Sequence, residues 1–361
     1  MELSKPPFRA DHVGSLLRPA QLRLAHEKAI VGQHDPNELR ELEDRCIGEA
    51  IALQESLGLH AITDGEFRRT SFHADFIEKL DGARASGSMH SSGGQFGPRA
   101  FQVTGKLRRS KPIEVAAFSF VKRHTSRVAK LTIPSPTMLL RGGRGAVSRE
   151  AYPDLAEFHA DVARAYREEL RALADAGCSY VQIDDTNFAY LCDAKLKHVW
   201  EEWGADAGAM ADLINAALDG RPAGLTVALH VCRGNSGGKW AAEGAYDPIA
   251  ETLFNRLEVD AYFLEYDDAR SGGFEPLRLL PRSKKVVLGL VSSKTAQLES
   301  KGELKRRLEQ AARYVPLENL CLSPQCGFAS TFRGNPLGED AQRRKLERIV
   351  EVAAEVWGSA R

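Results

Sequence analysis

The chain has no excess of either charge: Lys plus Arg and Asp plus Glu number 49 each. Zero formal charge removes any global electrostatic case for nucleic acid or an anionic membrane as a partner. One basic stretch, Lys106–Pro112, reads as a solvated loop. No window approaches the roughly 20 apolar residues that a bilayer span requires. The first residues, MELSKPPFRADHVGS, lack the apolar core of a secretory signal, so a cytoplasmic protein is expected. In that reducing compartment the six cysteines are poor candidates for disulfides. An early G-x-G-x-x-G turn, which an open nucleotide-binding sheet would need, is missing. So is any internal sequence repeat.

What is present is an alternation of short apolar runs with amphipathic helical stretches. The 361 residues are 43% hydrophobic, enough for a substantial core. Asp35 and Pro36 form a helix start before a stripe of Leu39, Leu42, Cys46, Ala50 and Leu53. A second helix is expected over about Pro153–Asp175, and "DPIAETLFNRL" repeats the Asp-Pro start. Eight strands are expected at 8–15, 61–66, 129–136, 178–185, 225–232, 260–268, 284–293 and 320–327. Several are continuously apolar, as parallel strands buried on both faces are. The pattern predicts a (β/α)8 TIM barrel forming one catalytic domain over 1–361. Residues 71–128 break the alternation and read as an insertion between strands 2 and 3. It combines a flexible Gly/Ser-rich loop with a hairpin of "AFQVTGKL" and "PIEVAAFSFVK", and is expected to be a lid or an oligomer contact.

In such a barrel, chemistry gathers where strands end. The polar residues there are Ser15, Asp64 with Glu66, Asp184 with Asp185, His230 with Cys232, Glu265 with Asp267 and Asp268, and Cys326. One histidine and two thiols, His230, Cys232 and Cys326, form a borderline-soft donor set suited to Zn2+. Residues two apart at a strand end can point the same way, so "HVC" can grip one ion. Glu265 is then a fourth ligand that a substrate could displace. The alternative is a hydrogen-bonded core histidine beside cysteines serving as small apolar filler. Filler is the reading for Cys46 and Cys178, and Cys192 and Cys321 are left open. A lone strand-end acid commonly caps the next helix. Glu66 and Asp184 instead end strands on the face of the proposed ion, where two carboxylates could hold an ammonium group.

With these residues in view, the sequence resembles the catalytic barrel of cobalamin-independent methionine synthase, and more closely the short single-barrel forms of that family. The resemblance runs from "DHVGSLLRP" to "LSPQCGFAST" and rests most on "HVC", "FLEYDD" and "PQCG", with "VGS", "TDGE" and "VQIDD" adding weight. It implies zinc on His230, Cys232, Glu265 and Cys326, homocysteine held by Ser15, Glu66 and Asp184, and methyl transfer to the homocysteine thiol to form methionine. Two departures bear on the methyl donor. The longer enzymes carry an Asp and a His for proton delivery to folate after the seventh strand. Here Ser292 and Lys294 stand there, making Lys294 a candidate catalytic residue but a poor acid near neutrality. Asp185 replaces the usual Glu of the fourth-strand motif. The donor is therefore open between methyl-tetrahydrofolate and a methyl-corrinoid, free or protein-bound, and the departures favour the corrinoid. Competing readings are a zinc alkyltransferase for another thiol such as coenzyme M, and a non-catalytic zinc- or corrinoid-binding barrel. Oligomeric state is open, a homo-oligomer included.

Overall fold

The computed structural model describes residues 5–86 and 100–361, with the side chains of 85, 86 and 100 left out. Its strands are β1 (Ala61–Ile62), β2 (Asp81–Ser86), β3 (Ala100–Arg108), β4 (Val128–Ala129), β5 (Leu131–Pro134), β6 (Tyr180–Asp185), β7 (Thr226–Val231), β8 (Ala261–Glu265), β9 (Lys285–Val291) and β10 (Leu320–Pro324). Strands β5 to β10 lie side by side in chain order, every pair parallel. Their apolar residues are buried toward both the barrel axis and the surrounding helices, which accounts for the continuous apolar runs.

The remaining ring positions are filled by shorter pairings. β1 pairs with β4 in parallel, and Lys130 N donates to Ile62 O at 2.8 Å. Ala10 bridges Leu322 in parallel, and Leu16 N reaches Gly65 O at 3.1 Å, which joins the first segment to both neighbours. The fold is a TIM barrel. The expected first strand over 8–15 is reduced to that single bridge. The Asp11 carboxylate accepts the backbone amides of Phe8 and His12, and a side chain that takes local amides competes with ladder pairing.

Helices Pro36–Ser56 and Leu155–Asp175 start at side-chain caps. Asp35 accepts the amides of Asn37 and Glu38, and Asp154 that of Ala156. The helix expected from "DPIAETLFNRL" is much shorter and ends in a π-helical turn, Thr252–Arg256. Carbonyls there are taken by side chains: Lys284 Nζ donates to Phe254 O and Tyr262 to Leu253 O.

The hairpin expected within 71–128 has different partners. β3 pairs antiparallel with β2, while "PIEVAAFSFVK" contributes the helix Val115–His124. Phe118 and Val121, three apart, are the buried face of that helix. β3 itself alternates as a half-buried strand should, with Phe101, Val103 and Leu107 inward and Gln102 and Thr104 outward. Most of the Gly/Ser-rich loop, 87–99, lies outside the described residues. The basic stretch expected as a loop begins inside β3, and its Arg109 pairs with Glu169 at 2.6 Å.

Two apolar layers result. One lies between the strands and helices. The other fills the barrel axis with Phe8, Val13, Tyr180, Phe263, Val287 and Cys321. Lys130 is buried in that axis. Its ammonium donates to Asp11 Oδ1 at 3.0 Å and lies 4.1 Å from the Phe263 ring centroid. All six cysteines are free and buried. No helix among the described residues is long and apolar enough to cross a membrane.

Candidate metal and amino-acid site

β7 ends in His230 and Val231, and Cys232 follows directly, anchored by its amide to Asp185 O at 2.7 Å. β8 ends at Glu265, and Cys326 follows β10 after Gln325 N donates to Val291 O at 2.8 Å. The barrel thereby brings together one ligand atom from each of His230, Cys232, Glu265 and Cys326, all within 4.8 Å of one another and all four residues buried. The two sulfurs are 3.4 Å apart.

Protonation in the cluster follows from its contacts. The Cys232–Cys326 hydrogen bond pulls the Cys326 thiol below the ordinary range and pushes Cys232 well above it. Burial alone would raise Glu265, but Lys294, Arg270, His230 and the Arg233 amide together hold the carboxyl below its usual value. Burial would lower His230, yet its hydrogen bond to Asp184, together with the negative charge of Cys326, Asp184 and Glu265, lifts it to about 9.

The carboxylates expected to bind an ammonium open onto the same cavity. It holds about 720 Å³, and its lining includes Ser15, Glu66, Asp184, His230, Cys232 and Cys326. Glu66 adopts φ of 60°, a positive value found at no other non-glycine residue among those described. Such a backbone costs on the order of 1–3 kcal/mol and persists only when neighbours impose it. Here Arg18 Nη2 donates to Glu66 O at 2.5 Å and to Arg69 O at 2.7 Å, pinning the turn. Thr132 Oγ1 donates to Glu66 Oε1 at 2.8 Å, and Arg69 stands 3.8 Å from that oxygen. Burial pushes the Glu66 carboxyl up to about 7, Arg69 opposing and Asp184 adding to the rise. Gln182 Nε2 orients Asp184 at 2.7 Å. Ser15 Oγ accepts the Ala329 amide at 3.3 Å.

A family profile described as the cobalamin-independent synthase catalytic domain matches residues 8–355. The chain belongs to that family. Its members are methyltransferases. A Bacillus subtilis protein, YxjG, itself uncharacterized, is 44% identical, covering 99% of this chain and 97% of its own. A Pyrococcus horikoshii protein named methionine synthase is 26% identical over 91% of this chain and 88% of its own. A crystal structure of a Listeria monocytogenes protein, provisionally described as a vitamin-B12-independent methionine synthase, superposes with a TM-score of 0.80. It is 36% identical and covers 99% of this chain and all of that one.

In this member of the synthase family, the donor set fits a divalent ion. His230 donates one nitrogen, Nδ1, to Asp184 at 3.1 Å, and its Nε2 is buried with no partner. A metal-ligating histidine has that arrangement, one nitrogen on a carboxylate and the other on the ion. The sulfur separation is near the roughly 3.8 Å that two sulfurs subtend at a tetrahedral zinc with bonds of about 2.3 Å.

The other strand-end acids have structural partners. Asp64 accepts the Glu66 amide at 2.8 Å, and Asp185 accepts the Phe188 amide at 2.9 Å along with the Thr137 hydroxyl. Asp267 and Asp268 both pair with Arg270. Lys294 is buried behind Glu265, its Nζ 3.6 Å from Oε2. Sequence reasoning missed Arg69, Thr132, Gln182 and Arg270. Gln182 could have been found: it is the one amide within the buried run of β6, two residues before Asp184 and so on the same face. Nothing local marks Arg270, which follows β8 in an exposed-looking acidic loop.

Proposed function

We propose that this chain transfers a methyl group to the thiol of homocysteine, forming methionine, with zinc held by His230, Cys232, Glu265 and Cys326. The observation that carries the reading is that His230, Cys232 and Cys326 of the four-donor cluster line one cavity with Glu66 and Asp184, Glu265 lying buried within the same 4.8 Å cluster. A cluster for a sulfur beside a pair for an ammonium matches the two ends of an amino-thiol.

The chain's own groups divide the work. Glu66 and Asp184 receive the ammonium by charge-assisted hydrogen bonds. Ser15 contributes a hydroxyl to the same end of the acceptor. Asp184 also sets the His230 tautomer, linking the two halves. When bound, zinc would supply a Lewis acid that keeps the acceptor sulfur deprotonated at neutral pH. The sulfur lone pair then forms the new bond to the methyl carbon, while the bond to the donor's leaving group breaks with its electrons. Holding both partners in line supplies much of the acceleration. The donor is a methyl-corrinoid or methyl-tetrahydrofolate. Lys294 faces Glu265 from behind, a placement that supports an electrostatic role over proton delivery and favours a donor whose leaving group needs no proton. Coenzyme M fits less well, because its sulfonate would meet the carboxylates of Glu66 and Asp184. We read 71–128, with β2, β3 and the helix Val115–His124, as an insertion in the barrel.

The test is a matrix of acceptors and donors with the purified, zinc-analysed protein. Homocysteine should be methylated, and faster from methylcobalamin than from methyl-tetrahydrofolate. Glu66→Gln should raise KM for homocysteine. Transfer to coenzyme M in preference to homocysteine would overturn the reading.

A further inference from the structure

Glu265 differs from the other three members of the cluster in what surrounds its donor atoms. Its Oε1 accepts the Arg233 amide at 2.7 Å. Its Oε2 accepts Arg270 Nη2 at 2.8 Å and lies 3.6 Å from Lys294 Nζ. Two buried cations and a backbone amide therefore bear on one carboxylate. By contrast, His230 Nε2 has no partner, and among the described residues no cation hydrogen-bonds to either sulfur. Arg270 is held rigidly: Asp267 takes it at 2.7 Å, Asp268 takes its other arm, and its guanidinium lies 5.0 Å from the Trp240 ring centroid. Its side chain is 4% exposed.

Cations on a carboxylate draw away the electron density it would offer a metal. Hydrogen bonds to the ionised form and nearby positive charge stabilise the free carboxylate, as they do when they depress its proton affinity. The imidazole is affected in the opposite sense, since Asp184 raises its basicity. Resting on the zinc reading above, we propose that Arg270 and Lys294 are positioning residues that weaken Glu265 as a metal ligand. They select this carboxylate, over the imidazole and the thiolates, as the ligand an incoming thiol displaces, and they receive it once displaced. The exchange would balance: one metal–oxygen bond breaks, one metal–sulfur bond forms, the thiol's S–H bond breaks with its proton released to solvent, and the carboxylate keeps its charge against the two cations.

A purely orienting role predicts the opposite sign for one measurable quantity. Losing an orienting partner weakens metal binding by about 10–100-fold. Losing a competitor for the carboxylate does not. The experiment compares the full chain with Arg270→Met and Lys294→Met, using zinc affinity by chelator competition, homocysteine affinity by calorimetry, and X-ray absorption of the zinc shell. Both variants should bind zinc at least as tightly as the parent. Both should bind homocysteine about tenfold more weakly or worse, the scale on which neighbours tune metal ligands, and retain the oxygen ligand when homocysteine is added. Glu265→Ala placed in the Arg270→Met background should restore homocysteine binding. Zinc affinity falling about 10–100-fold, or homocysteine affinity unchanged, would overturn the inference. Lys294→Met stands alone if Arg270→Met does not fold. A parent protein that binds no zinc, or whose zinc shell ignores homocysteine, would remove the functional reading as well, so the two failures are distinguishable.

Discussion

Asp184 and His230 sit opposite each other across β6 and β7, paired in register and joined side chain to side chain at 3.1 Å. One carboxylate therefore lines the cavity and also orients His230 of the candidate metal cluster. Glu66 lines the same cavity but touches none of the four ligands through any hydrogen bond to them. The two acids should separate on mutation.

Asp184→Ala is expected to raise KM for homocysteine and to weaken zinc binding by about 10–100-fold, the usual cost of losing a histidine's orienting carboxylate. Glu66→Gln should raise KM with zinc affinity unchanged. Chelator competition and steady-state kinetics on both variants check the split.

With the Glu66 carboxyl lifted to about 7, acceptor binding should depend on pH. An ammonium needs the ionised form, so KM for homocysteine should fall as pH rises from 6 to 8, and Glu66→Gln should flatten that limb. Stability moves the other way. Unfolded, the group ionises near its ordinary 4.5, while in the fold it keeps its proton to about 7. Between those values the folded state binds more protons, so the contribution of Glu66 is full below the lower value and is lost as pH rises through the window. Urea unfolding at pH 5 and pH 8 should show a shallower pH dependence for Glu66→Gln than for the parent.

The Lys130–Asp11 pair is fully enclosed in the barrel axis. Removing one partner of such a pair leaves an uncompensated buried charge, at a cost of about 3–5 kcal/mol. Lys130→Met should lose stability on that scale in chemical denaturation, and Asp11→Asn added to it should recover part of the loss.

Gly327 is placed against Ser15. A Cβ there would lie 2.0 Å from Ser15 Oγ and 3.1 Å from its Cβ. Gly327→Ala must turn the serine out of the cavity, so KM for homocysteine should rise while zinc content stays at that of the parent. Metal analysis beside kinetics checks it.

The candidate metal cluster was legible in the sequence because its members sit at strand ends or just after them. His230 and Cys232 are two apart, so alternation puts them on one side, and barrel closure brings Glu265 and Cys326 to meet them. The position of Asp184 was legible for the same reason, whereas the strand expected over 61–66 stops at Ile62 and Glu66 lies in the turn beyond it. Arg270 was not, because its importance comes from a loop that folds back onto Glu265 across five residues, a path no periodicity encodes. The hairpin was misassigned because Ile113, Val115, Phe118 and Phe120 fit both a strand and a helix over so short a run. Its true partner, "DGARAS", is poor in the branched and aromatic residues that mark strands. The first strand failed for a local reason: Asp11 draws two backbone amides to its own side chain.

The most direct measurement is zinc-edge X-ray absorption on the purified protein, with metal content, before and after homocysteine is added. The account predicts one zinc per chain in a shell of two sulfurs and two lighter atoms, with one lighter atom replaced by a third sulfur when homocysteine binds. A chain without stoichiometric metal, or a shell that homocysteine leaves unchanged, would contradict it.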